Sequence, residues 1–87
     1  MKFAFDEEKS QENRAKHGID FVEAQRLWLD PSAIMGPADS RTEERHIFIG
    51  MIGVTIWAAI ITFRGSSTRI ISVRKARSEE RQVYESQ

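Results

Sequence analysis

The residues of this 87-residue sequence that could do chemistry are arginine, lysine, histidine, glutamate and tyrosine. There is no cysteine, so no thiolate can attack a substrate or hold a metal, and no disulfide framework can form. His17 and His46 stand 29 residues apart, and no carboxylate lies at a ligand-like spacing that singles out a metal site. A Gly-rich phosphate loop and a G-x-S-x-G elbow are both absent. The set that remains calls for no cofactor and suffices for cleavage of RNA, which carries its own nucleophile in the 2′-hydroxyl. That reaction needs a base for the hydroxyl proton, donors for the charge developing on phosphorus, and an acid for the leaving oxygen.

The cations are concentrated at one end. Net charge is zero, but residues 1–30 carry −2, residues 31–63 carry −1 and residues 64–87 carry +3. Five of the six cations in the last segment are arginines (Arg64, Arg69, Arg74, Arg77 and Arg81, with Lys75), and a planar guanidinium suits phosphate better than an ammonium does. If residues 68–75 form an unbroken strand, side chains alternate, and Arg69 and Arg74 fall on opposite faces. Arg74 is then the cation expected at the reacting centre, and Arg69 is left to contacts outside it. Arg64 stands beside a turn, where it can reach either face.

Proton transfer falls to His17, Glu44 or Tyr84, which the sequence does not rank. Each also has a plainer role. His17 can complement a helix dipole, Glu44 can pair with Arg45, and Tyr84 can anchor the last helix. Trp28 and Trp57 are read as core.

The elements that must position these groups centre on residues 47–63, seventeen residues without a charge. They are long enough to raise the alternative of a small membrane protein spanning with this segment. Nine of them are β-branched and Gly53 lies near the middle, so two strands and a tight turn are the expectation. Residues 65–67 supply a second turn into the strand at 68–75, completing an antiparallel three-strand meander. Residues 2–5 suit an edge strand. Asp6 should cap a mostly polar first helix that ends at Gly18 and touches the core mainly through Ala15. Asp20 should start a second helix, with Glu23 in a capping box and a broad apolar surface of Phe21, Val22, Ala24, Trp28 and Leu29 packing on the sheet. Residues 31–41 read as a loop around a short strand at 33–35, and a last helix should begin at Ser78. The fold class is therefore α+β, one domain over residues 1–87, with two N-terminal helices and a short C-terminal one on an antiparallel sheet. The N-terminus lacks the apolar region of a signal peptide, so the expected compartment is cytoplasmic.

Several blocks carry a resemblance. Asn13 through Ile19, then Phe21, Glu23-Ala24, Glu44-Arg45 and Ile49-Gly50 are similar to the BrnT family. Arg69 through Ala76, Glu80-Arg81 and Tyr84 extend that likeness over nearly the whole chain, in the family's order. The resemblance implies a RelE-like fold and a ribonuclease toxin of a bacterial type II toxin–antitoxin system. It further implies RNA cleavage without metal, blocked translation, and neutralisation by a BrnA-type ribbon-helix-helix antitoxin whose complex with the toxin binds operator DNA.

Phe5, Phe63 and Val73 depart from the family pattern, and Phe63 stands where a polar or acidic residue is expected. This departure carries the alternative reading of a weakened or inactive module that still binds its antitoxin. On the leading reading Arg64 and Arg74 stabilise the phosphorane. Lys75, Arg81 and Arg69 contact RNA around them.

Overall fold

The computed structural model describes residues 1–39 and 43–87; the end of the expected 31–41 loop lies outside the described residues. The chain runs β1 (Lys2–Ala4), α1 (Glu7–His17), a 3-10 helix (Glu23–Leu29), β2 (Ile34–Ala38), β3 (Arg45–Ile52), β4 (Thr55–Arg64), β5 (Ser67–Lys75) and α2 (Ser78–Glu85). Residues 47–63 are two strands and their turn, not one helix. Among the described residues no helix is long and apolar enough to cross a membrane.

The meander forms as the sequence predicts. Ile52 pairs with Thr55, and Arg64 with Ser67, so each hairpin closes on two residues. In both, glycine takes the first turn position with positive φ, 62° at Gly53 and 58° at Gly65, where a Cβ would be strained. The expected all-antiparallel sheet is corrected in one respect. Five strands lie in the order β1-β5-β4-β3-β2, and β1 runs parallel to β5, so the sheet is mixed. A parallel pair needs a long crossover, and nearly the whole chain supplies it.

The two helical layers hold on by different forces. Asp6 caps α1 as expected, its carboxylate accepting from the Glu8 and Lys9 amides, and Gly18 (φ 83°) ends it. The buried residues of α1 are Ser10 and Asn13, while Ala15 is exposed; the expected apolar contact gives way to polar ones. Ser10 Oγ accepts from the Phe21 amide. Asn13 donates to the Ile19 and Val73 carbonyls and accepts from the Val73 amide at 3.1 Å. One side chain thus does for β5 what a neighbouring strand would do.

The second helix is a 3-10 helix, not the expected α-helix. Asp20 still receives the Glu23 amide (2.7 Å), but Val22 and Leu29 of the expected apolar face are exposed. Leu27, with Phe21 and Ala24, does the packing on Trp57, Ala59, Ile61, Ile70 and Val73. Each large side chain fully buried there contributes about 1.5–3 kcal/mol. Trp28 lies in the core layer, stacked on Phe48 at 4.1 Å with Phe3 edge-on at 4.9 Å. Among the described residues the other face of the sheet is covered only at one end, where α2 lays Tyr84 against Ile49, Ile56, Ala58 and Ala76.

Candidate active site

The uncovered end of that second face is where the arginines gather, and a single residue arranges it. Along β5, Ser72 pairs with Ile60 and Ile70 with Ile61, leaving Ile71 unpaired as a bulge. One extra residue reverses the alternation. Thr68, Ile70 and Val73 therefore all face the core, and Arg69 and Arg74 share the opposite face. The expectation that they lie on opposite faces held only for an unbroken strand and is corrected. Arg69 pairs with Thr62 across the sheet, and Arg45 of β3 falls beside Thr62 on its other side. Arg64, two residues beyond Thr62, points to the same face.

Ion pairs divide these cations into two groups. At the open end Glu43 lies between Arg45 and Arg64, one carboxylate oxygen 3.5 Å from each guanidinium. Arg69 has no ion pair among the described residues, so Arg45, Arg64, Arg69 and Glu43 leave a local charge of +2 (three minus one). Arg45 Nε is buried with no acceptor among the described residues.

At the closed end Arg74 meets Glu80 of α2 in a two-pronged pair at 2.7 and 3.0 Å, with side-chain exposures of 21% and 18%. Glu80 also accepts from the amide of Arg77, the N-cap of α2 (2.7 Å). The Arg74 hydrogen bonds, against the cost of burial, hold the Glu80 carboxyl below its ordinary range. Reciprocally they raise Arg74. About six residues of strand, roughly 20 Å at 3.3 Å per residue, separate the Arg74 row from Arg64.

The remaining expected residues do not join one pocket. Tyr84 donates to Asp30 Oδ2 at 2.6 Å, and Asp30 also accepts from the Met51 and Ser32 amides. Burial pushes Asp30 up, but these three donors outweigh it and hold the carboxyl below its usual value; the same bond raises Tyr84. This is the anchoring role, at the far end of α2. His17 lines a separate depression with Lys9, Lys16 and Ile71, on the α1 side of β5. Glu44 is exposed, and its carbonyl accepts from Thr62 Oγ1 at 2.9 Å. Lys75 pairs with Trp57 and so lies on the face opposite Arg74, while Arg81 donates to the Ala76 carbonyl. Phe63 stands on the core side beside His46 (5.1 Å between rings), away from the arginine face.

Between the two arginine groups runs a groove of about 530 Å³. Ile47, Ile49 and Ile60 form its floor, with Ala38 and Asp39 on one side and Glu79 and Val83 of α2 on the other. Sequence reasoning missed Arg45 and Glu43. The signal for Arg45 was available: it lies an even number of residues from Ile47 and Ile49, on their face of β3.

This is an α+β protein with α1 and the 3-10 helix on one sheet face, and with α2 and an arginine-flanked groove on the other. The model of the family described as "Ribonuclease toxin, BrnT, of type II toxin-antitoxin system" matches residues 5–80, and the chain belongs to that family. No curated protein matches it.

Proposed function

We propose that this chain, as one functional unit with a RelE-like arrangement, is a metal-independent endoribonuclease. It cleaves RNA by attack of the 2′-hydroxyl, blocks translation and is silenced by a BrnA-type ribbon-helix-helix antitoxin, through which alone it reaches operator DNA. The observation that carries this reading is the row of Arg45, Thr62 and Arg69 with Arg64 beside it. These are three guanidiniums on one open sheet face, two of which, Arg45 and Arg64, share one carboxylate. Guanidiniums so placed grip a phosphodiester and stabilise the charge that builds on it.

Arg74 is proposed to act at one remove, holding α2 through Glu80 at the groove's end. Lys75 and Arg81 contribute to RNA attraction over longer range. The test is incubation with single-stranded RNA in chelator-containing buffer. Fragments ending in a 2′,3′-cyclic phosphate are expected; RNA left intact at high protein concentration would overturn the reading.

A second reading is favoured by one specific observation. Arg74 and Tyr84 are both committed to internal hydrogen bonds. A non-catalytic module with the same fold would serve as the partner subunit of an operator-binding complex. Antitoxin binding without RNA cleavage would establish it.

A further inference from the structure

Beyond Ala4, where β1 stops level with Arg69, the edge of β5 passes from a strand to α1. Asn13 fixes that contact by bonding both backbone groups of Val73. Lys9 stands four residues before Asn13 and Lys16 three after it, so all three side chains share one face of the helix. With His17, Ile71 and Ser72 they line a depression of about 240 Å³. Lys9 and Lys16 make no ion pair among the described residues. Glu12 is the one acid in the lining among those residues, which leaves a local charge of +1 (two minus one) with His17 neutral.

Ser72 joins this depression to the arginine face. It pairs with Ile60, a floor residue of the groove, so both side chains project from the open face. Arg69 pairs with Thr62, two residues along β4 from Ile60. Arg69 and Ser72 therefore stand about 7 Å apart along the sheet, at roughly 3.3 Å per residue. The bulge at Ile71 is what turns them to the same side. Pairing of β1 with β5 ends at Arg69, so no strand stands between Ser72 and α1. Cations thus continue from Arg45 and Arg69 on the sheet, past Ser72, to Lys16 and Lys9 on the helix. Cationic tracks of this kind follow the backbone of single-stranded nucleic acid. A protein partner would call for an apolar centre, and Ile71 is the one apolar residue of the lining among the described residues.

We infer that the depression between α1 and the β5 bulge binds a phosphate flanking the scissile one on the same RNA strand. Lys9 and Lys16 supply charge, and His17 and Ser72 supply hydrogen-bond donors. The inference rests on the ribonuclease reading and gives it a substrate that extends past the cut and over the edge of the sheet. No bond is made or broken at this site.

The test is equilibrium binding of a short single-stranded RNA, 2′-O-methylated throughout so that it cannot be cut, over a series of salt concentrations. The full chain is compared with Lys9→Gln/Lys16→Gln and with Arg26→Gln, which removes an exposed cation lining neither the groove nor the depression. Lys9 and Lys16 are exposed, so circular dichroism should show the parent's fold in the double variant. Two lost phosphate contacts predict a slope of log K against log salt shallower by about 1.4, at about 0.7 for each. Arg26→Gln should keep the parent's slope. A double variant with the parent's slope overturns the inference and leaves the depression to a protein partner. Equal flattening per charge in Arg26→Gln overturns it as well, because the effect would then belong to net charge. In both cases a parent protein that cuts unmodified RNA keeps the ribonuclease reading standing. The predicted flattening in a chain that cuts no RNA would uphold the binding site and overturn the ribonuclease reading alone. A parent that neither binds nor cuts RNA overturns both.

Discussion

Two side-chain pairs set how α2 responds to pH. Asp30 is held below its ordinary pKa, so its stabilising contribution is present above the ordinary carboxylate value and is lost as pH falls through the lowered one. Glu80 behaves in the same way. Tyr84 is raised, so its share is complete below about pH 10 and disappears as pH climbs through the raised value. Acid titration followed by circular dichroism should therefore show α2 loosening below the range in which unpaired carboxylates titrate. Tyr84→Phe removes the hydroxyl that Asp30 accepts from and should cost about 1 kcal/mol, read as a lower midpoint in urea. A variant with an unchanged midpoint would show that the 2.6 Å bond contributes no net stability.

At the scale of elements, β5 has the largest consequences. Its bulge at Ile71 brings Arg69 and Arg74 to one face, and Asn13 fastens the strand two residues further on. Asn13→Ala leaves the buried Val73 amide and carbonyl and the Ile19 carbonyl short of partners. At about 1–3 kcal/mol for an unmade buried bond, the variant should lose roughly 2–4 kcal/mol, measurable by chemical denaturation. Faster amide exchange at Val73 is the local signature.

The meander was legible in the sequence because β-branched runs and glycines at two-residue turns act locally. The bulge was not, because no glycine or proline marks it. Two residues past it, Asn13 bonds both backbone groups of Val73 from 60 residues away in the chain. The same distance hid the parallel pairing of β1. The 3-10 helix escaped because the capping signal at Asp20 is shared by both helix types, and the close approach of Leu27 to Gly50 is a tertiary contact the local pattern does not carry. A Cβ at Gly50 would lie 3.3 Å from the Leu27 carbonyl oxygen, so the two backbones pass close. Arg74 was legible as a cation on the meander, while its engagement by Glu80 depended on where α2 folds back.

Taken whole, the molecule is neutral but polarised. One face of the sheet carries the packed core, and the other is half roofed by α2 and half open, with arginines at the open end. A neutral protein gains little long-range attraction for RNA, so binding should depend on the local row and weaken as salt screens it. Each phosphate contact contributes about −0.7 to the slope of log K against log salt for a single strand, so Arg64→Ala should make that slope shallower by about that amount. The antitoxin is expected to lie across the same row, and stoichiometric antitoxin should then abolish RNA binding.

The most direct test of the arginine face is the cleavage rate of Arg69→Ala against the parent protein, in chelator-containing buffer, with folding checked by circular dichroism. Removing a cation that stabilises the developing charge predicts a fall of about 100-fold or more. A folded Arg69→Ala protein that cuts RNA as fast as the parent would contradict the account, because the bulged strand would then be presenting its arginines to something other than the scissile phosphate.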